Sequence, residues 1–253
     1  MVPHTILLPV DYSAKDFRAQ DYAKIVSHLE SKHFAAFFIS DYLRIKSDAS
    51  RLGRSDVYRS VESAAKKLKL DLKFITCPGS LPSLWYQSRF ADLMILDLLT
   101  LDNARALNRL HAEKFFDDFG CPILLSGSLP EDQEDIIFLF DHDPSSLVAL
   151  KSFLALFGEI SKNKKLTVIT INSSDGPGVY FEESLIHHLQ QIFKNVGILP
   201  MQKTDIVSHL ISFAAKATKP ILIMGNLAQG LFNQESSAEA LVMNKVSVYY
   251  SNK

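Results

Sequence analysis

Cysteine is scarce in this chain: 253 residues hold two, Cys77 and Cys121, each beside a proline. They form neither a C-x-x-C pair nor the spaced framework of a disulfide-stapled domain, so a reducing cytoplasm is the expected home. A dominant charge is also missing. Lys and Arg number 27 against 28 Asp and Glu, a formal net charge of -1. That balance argues against a nucleic-acid surface and against an acidic solvating tail. Long apolar runs are absent from the N-terminus, where MVPHTILLPVDYS breaks at Pro9 and Asp11. The run is too short for a signal peptide or a membrane span, so no membrane partner is expected.

The motifs of common enzymes are missing too. There is no G-x-S-x-G elbow, Walker loop or H-E-x-x-H pair. Gly176-Pro177-Gly178 is a turn without the rest of a dinucleotide fingerprint. His187 and His188 are neighbours on an expected helix, so their side chains point about 100° apart and cannot chelate one metal. Lys162–Lys165, KNKK, is short and suits a helix C-terminus. No nucleophile, base and oxyanion set can be named, so no catalytic residue and no metal site is expected; a hydrolase or adenylyl-type enzyme on the same sheet, or a weak ATPase, is the enzyme alternative.

What is present is a regular alternation. Hydrophobic residues make up 47% of the chain, enough for sizeable cores. Ile6–Val10, Phe34–Ile39, Leu72–Thr76, Leu93–Leu96 and Ile123–Leu125 are short apolar runs, as buried strands require. Helical patterns lie between them: after the capping Ser13, over Val57–Leu68, from Ser80 and Pro82, and over Arg105–Asp118 up to Gly120. Asp41–Arg54 reads as a loop, and Gly127–Glu134, with Pro130, as a linker. The pattern then restarts. Strands are expected at Ile136–Phe140, Leu166–Ile171, Val196–Pro200, Ile221–Met224 and Val246–Tyr250. Helices are expected at Leu147–Phe157 behind the Asp143-Pro144 cap, Phe181–Phe193, Ile206–Ala215 and Ala238–Met243, and Asn172–Gly178 is a loop.

The halves align element by element. TILLPVDYS matches DIIFLFDHD, RFADLMIL matches ATKPILIM, and CPILLSG matches KVSVYYS. The expected fold is therefore α/β: two tandem doubly wound, Rossmann-like domains, residues 1–128 and 129–253, each with a five-stranded mostly parallel sheet.

At these residues the chain resembles the universal stress protein family in its tandem two-domain form. The resemblance is carried by Pro9-Val10-Asp11-Tyr12-Ser13, Ala91–Leu96 and Cys121–Leu125 in the first half, and by Asp141, Asp143–Ser146 and Ile221–Gly225 in the second. It spans nearly the whole chain. Some members of that family bind ATP, with the acidic residue after strand one at the adenine end. Their phosphates sit on a loop after strand four that reads Gly, two residues, Gly, nine residues, Gly-Ser or Gly-Thr. Such a loop is physically suited to the task, because glycines let backbone approach phosphate and the next helix N-terminus attracts it.

Here the loops depart from that pattern. The first half reads Asp97-Leu98-Leu99-Thr100-Leu101-Asp102-Asn103-Ala104-Arg105, without a glycine. Each carboxylate would repel a unit anion about 6 Å away by roughly 3 kcal/mol at an effective dielectric near 20. The second half keeps Gly225, Gly230, Ser236 and Ser237, with four residues between the glycines and five before Ser236. Ser236 and Glu239 also form a capping box, S-x-x-E, so a cap and a residual anion site both stay open. Asp11 and Asp141 are each read as a helix-end carboxylate or as an inherited adenine contact.

The resemblance thus implies a non-catalytic, stress-associated module with degenerate nucleotide-binding loops and no expected cofactor. ATP is the alternative, held by Asp11, Asp141, Gly225, Gly230, Ser236 and Ser237. An unidentified protein partner is expected, and a homodimer through edge strands, with Val246–Tyr250 as the candidate edge because Tyr249-Tyr250 would leave aromatic surface beside unpaired backbone.

Overall fold

The apolar run that opens the chain is a strand with a neighbour on each side. A computed structural model describes residues 4–11, 32–39, 59, 62, 63, 65, 66, 71–75, 81–97, 118–126, 134–172, 178–202, 206–228, 237, 240, 241 and 243–251. β1 (His4–Asp11) pairs in parallel with β2 (Lys32–Ile39) and with β4 (Leu93–Asp97), and β2 pairs in parallel with β3 (Leu72–Ile75). Parallel neighbours need crossover connections, and among the described residues helical segments lie between β2 and β3 and between β3 and β4. α1 (Leu81–Ser88) carries Pro82 in its first turn, where a missing N–H costs nothing. Arg59, Glu62, Ser63, Ala65 and Lys66 are helical, with an i,i+4 ion pair of 2.9 Å between Lys66 and Glu62. The expected helix after Ser13, the 41–54 loop, most of the 105–118 helix and the 127–134 linker lie outside the described residues.

Contacts divide the chain into two compact units, Met1–Leu96 with Asp118–Ile123, and Asp97–Asp117 with Leu124–Lys253. β5 (Ile123–Ser126) contributes Ile123 to the first and its other residues to the second. In the second unit β6 (Asp135–Phe140) pairs in parallel with β7 (Lys165–Asn172) and β9 (Ile221–Met224). β7 pairs with β8 (Asn195–Gln202), and β9 with β10 (Ser247–Tyr250). The crossover helices are α2 (Pro144–Ser161), α3 (Gly178–Ile192) and α4 (Ile206–Ala214). The units share strand order and register. β3-β2-β1-β4 in the first matches β8-β7-β6-β9 in the second, and Ile6 opposite Leu93 matches Ile136 opposite Ile221.

Strands buried on both faces need apolar residues at every position. All four residues of β9 and of β10 are buried, as are Ile136–Phe140. α2 lays Ala149, Leu150, Phe153 and Phe157 against the sheet. Phe153 and Phe157 enclose the Tyr249 ring at 5.2 and 6.1 Å, edge on, and the Tyr249 hydroxyl meets Ser152 Oγ at 3.1 Å.

The expected free edge at Val246–Tyr250 is thereby overturned. β10 runs between β9 and β5 in the strand order, and Tyr249 and Tyr250 are core residues, not exposed aromatics. The Tyr249 ring fills the space between the sheet and α2, and its hydroxyl finds a partner there.

A carboxylate ties the starts of the first and fourth strands in each unit. In the first, Thr5 N donates to Asp92 Oδ2 at 2.7 Å; in the second, Thr218 N donates to Asp135 Oδ2 at 2.8 Å. Cys121 is a buried free thiol. Burial, with the nearby Asp92 charge as a smaller cause, pushes its thiol up to about 12. In a Cys77→Ser chain, Cys121 should therefore react with a disulfide reagent at pH 8 only after unfolding in guanidinium. Fast labelling of the native protein would contradict this burial. The same shift costs stability as pH rises from 9.0 towards 12, because the unfolded thiol ionises first.

Candidate functional site

In an open parallel sheet a ligand crevice lies beyond the strand carboxyl ends, where successive connections depart to opposite sides. In the second unit that point falls between β6 and β9, since the chain leaves β6 towards β7 and later returns to β9 on the other side. Asp141 is the first residue after β6 and Gly225 the first after β9. Both meet the first turn of α2.

That turn is built locally. His142 stands at φ 64°, a left-handed conformation that histidine enters more readily than branched residues do, and its ring lies 4.6 Å from that of Phe140. The bend lets Asp143 N donate to Asp141 Oδ1 at 3.2 Å. Asp143 then caps the helix in extended conformation, its Oδ1 accepting from Ser145 N at 2.8 Å, with Pro144 beginning the helix. The Asp143 carbonyl accepts from Ser146 N at 3.1 Å and from Ser146 Oγ at 2.7 Å.

The two carboxyls are held in opposite senses. Burial raises Asp141 above the ordinary carboxylate range, and the Asp143 charge adds to this against hydrogen bonds that oppose it. Hydrogen bonds from Ser145 lower Asp143. The half-buried Asp141 thus favours a donor or cation over an anion.

Gly225 closes the other side. A Cβ there would stand 2.5 Å from Ser146 N and 2.6 Å from the Ser145 carbonyl carbon, so only glycine allows this approach. The next amide, Asn226 N, donates to Ser145 Oγ at 2.9 Å, and Gly225 O accepts from Ala228 N at 3.0 Å. Donors that could meet a phosphate at the start of α2 are thus engaged by the Asp143 carboxylate and carbonyl.

Of the residues expected from sequence, Asp141 and Gly225 are brought to one helix turn. Ser237 is helical and buried. Gly230 and Ser236 lie outside the described residues. Asp11, the last residue of β1, takes the register position of Asp141, and Asp97, the last of β4, takes that of Gly225; their side chains lie outside the described set. Ser145 and Asn226 were missed. Their bond joins residues 81 apart, and only the β6–β9 register brings them together.

Among the described residues, no group of three or more His, Cys, Asp or Glu could hold a metal ion, and no helix is long and apolar enough to cross a membrane. His187 and His188 are exposed.

No family model matches the chain, and no curated protein matches it. Solved structures do. A universal stress protein from Archaeoglobus fulgidus DSM 4304 has a TM-score of 0.69 and 13% identity, covering 98% of this chain and 96% of its own. A putative universal stress protein from Pseudomonas aeruginosa UCBPP-PA14 has a TM-score of 0.58 and 11% identity, covering 98% and 93%. A functionally unknown protein from Pseudomonas aeruginosa PAO1 follows at 0.54 and 12%, covering 98% and 92%. The α/β fold of universal stress proteins is the fold of this chain over nearly its whole length.

Asp143→Ala should cost about 0.5–2 kcal/mol at pH 7. Because the folded carboxyl is lowered, that loss should shrink as pH falls below the unfolded carboxylate range. Asp141→Asn should behave in the opposite way. A raised carboxyl costs stability once pH rises through its folded value, so the variant should match or exceed wild type at pH 7 and lose that advantage in acid. Urea titrations at pH 3, 5 and 7 read both; parallel profiles for the two variants would contradict the opposed environments. Gly225→Ala should cost about 1–3 kcal/mol with no ligand present, as overpacking does. Unchanged stability would mean that the glycine is not needed for packing.

Proposed function

We propose that this chain is a tandem universal stress protein, made by duplication of one domain, that acts without catalysis as a stress-associated module in the cytoplasm and engages another protein. One observation carries the loss of nucleotide binding: the first turn of α2 at the switch point is engaged by the chain itself. The Asp143 carboxylate takes the Ser145 amide, Asn226 N takes Ser145 Oγ, and Gly225 packs against backbone at Ser145 and Ser146. A retained Gly225 is thereby accounted for by packing, and the altered spacing to Gly230, Ser236 and Ser237 follows from release of the phosphate constraint. The tandem reading rests on the matched strand order and register of the two units. The cytoplasm rests on the sparse, unframed cysteines.

A second reading is a nucleotide-binding sensor that uses the second domain. Asp141 favours it, since a half-buried carboxylate at a switch point suits the donor groups of an adenine or ribose.

Small molecules released by denaturing the purified protein, measured by mass spectrometry, separate the two readings, together with calorimetric titration by ATP and magnesium. The proposed module releases no nucleotide and gives no binding heat. Near one nucleotide per chain, lost in Gly230→Asp with the fold intact, would establish the sensor instead.

A further inference from the structure

The amino ends of the strands in the second unit carry an uneven charge. Ser247, Ile221, Ile136, Leu166 and Val196 are register partners across β10, β9, β6, β7 and β8. Two residues earlier, the same level reads Lys245, Lys219, Glu134, Lys164, Lys194. At about 4.8 Å from strand to strand this row is about 19 Å wide. Its backbone is held at the end of the ladder. Lys165 N donates to Glu134 O at 3.4 Å, and Lys194 N to Lys162 O at 3.3 Å. Lys245, Lys219, Glu134 and Lys194 are exposed, and Lys164 is half-buried. The side chains of Lys194, Lys219 and Lys245 form no ion pair with any described residue.

Helix ends alone do not require such a row. α2, α3 and α4 all finish at this end of the sheet, where cations suit the helix C-termini. The first unit shares the topology, yet the corresponding levels of β4, β1 and β2 hold Ala91, His4 and Lys32. Two of the lysines also stand in left-handed backbone, Lys219 at φ 45° and Lys245 at φ 53°. Lys245 follows a helix end at which Val246 N donates to Leu241 O at 2.9 Å, a place where glycine is the least strained residue. Like charges thus sit at one level on neighbouring strands, in a conformation that lysine enters at a cost. An opposing anion relieves the repulsion.

Resting on the reading that the chain engages another protein, we propose that this edge docks a partner surface that is acidic on both sides of a neutral or basic centre. Glu134 selects the class of partner. A nucleic-acid backbone or an anionic bilayer presents negative charge along its whole length and meets repulsion at the middle of the row. A protein can set a different side chain there. The row also lacks arginine, which suits bidentate phosphate contacts, and has no aromatic ring on which a base could stack. The edge lies at the opposite end of the strands from Asp141, so a ligand at the switch point leaves it open.

Fluorescence anisotropy of a labelled peptide, Glu-Glu-Gly-Lys-Gly-Glu-Glu, reads the docking, because its extended length is close to the width of the row. The full chain should bind it at about 20 mM salt and lose most of that binding at about 300 mM. The double variant Lys219→Asn with Lys245→Asn removes both charges, and asparagine accepts left-handed backbone. Its binding should be about tenfold weaker. Lys151→Gln, at an exposed position midway along α2, should bind as wild type does. Glu134→Lys should weaken this peptide and strengthen an all-glutamate peptide of the same length. No binding by wild type, or undiminished binding by the double variant, would overturn the proposal. So would wild-type binding of the all-glutamate peptide, phosphatidylserine vesicles or a thymidine oligonucleotide as strong as that of the mixed peptide, since the edge would then accept any polyanion. Absence of both peptide binding and released nucleotide would remove the docking edge and leave the non-catalytic module standing.

Discussion

Pairing on both sides of the first strand of each unit governs the remainder of the architecture. β6 has parallel neighbours on both edges, and so does β1. A parallel neighbour cannot be reached by a tight turn, so each connection must climb over a face of the sheet. With the second strand on one side and the fourth on the other, the connections diverge beyond the first strand's carboxyl end. The crevice near Asp141 is a consequence of topology before it is a consequence of any ligand. Its chemistry is then decided by whatever residues fall there, and here they are mostly the chain's own capping groups.

A glycine at such a switch point can be required by packing alone. Gly225 lacks a Cβ because backbone of α2 occupies the space, and this requirement persists with or without phosphate. The position has a structural duty of its own, so a glycine there is not by itself the mark of a ligand site.

Most of the strands were legible in the sequence, because strands buried on both faces demand uninterrupted apolar residues. Ile221–Met224 matches its expected bounds, and the Asp143-Pro144 cap is read from adjacent residues. The position of β10 within the order was not legible. Whether a strand is an edge depends on which segment lies beside it, and Tyr249-Tyr250 has the same local pattern inside a core as outside one. The Ser145–Asn226 bond was hidden for the same reason, as was the half-buried state of Asp141: each depends on partners distant in sequence or on depth beneath the surface.

The carboxylates at the strand starts show how such a fold can outrun sequence comparison. Asp92 precedes the fourth strand of its unit, whereas Asp135 opens the first strand of the other; each grips an amide belonging to the opposite member of the pair. Geometry demands one acid and one donor across the gap but is indifferent to which side supplies which. An interaction can thus survive while both of its residues change identity. Column-by-column similarity then decays although the physical constraint does not, and two units can differ in letters while their backbones keep the same register.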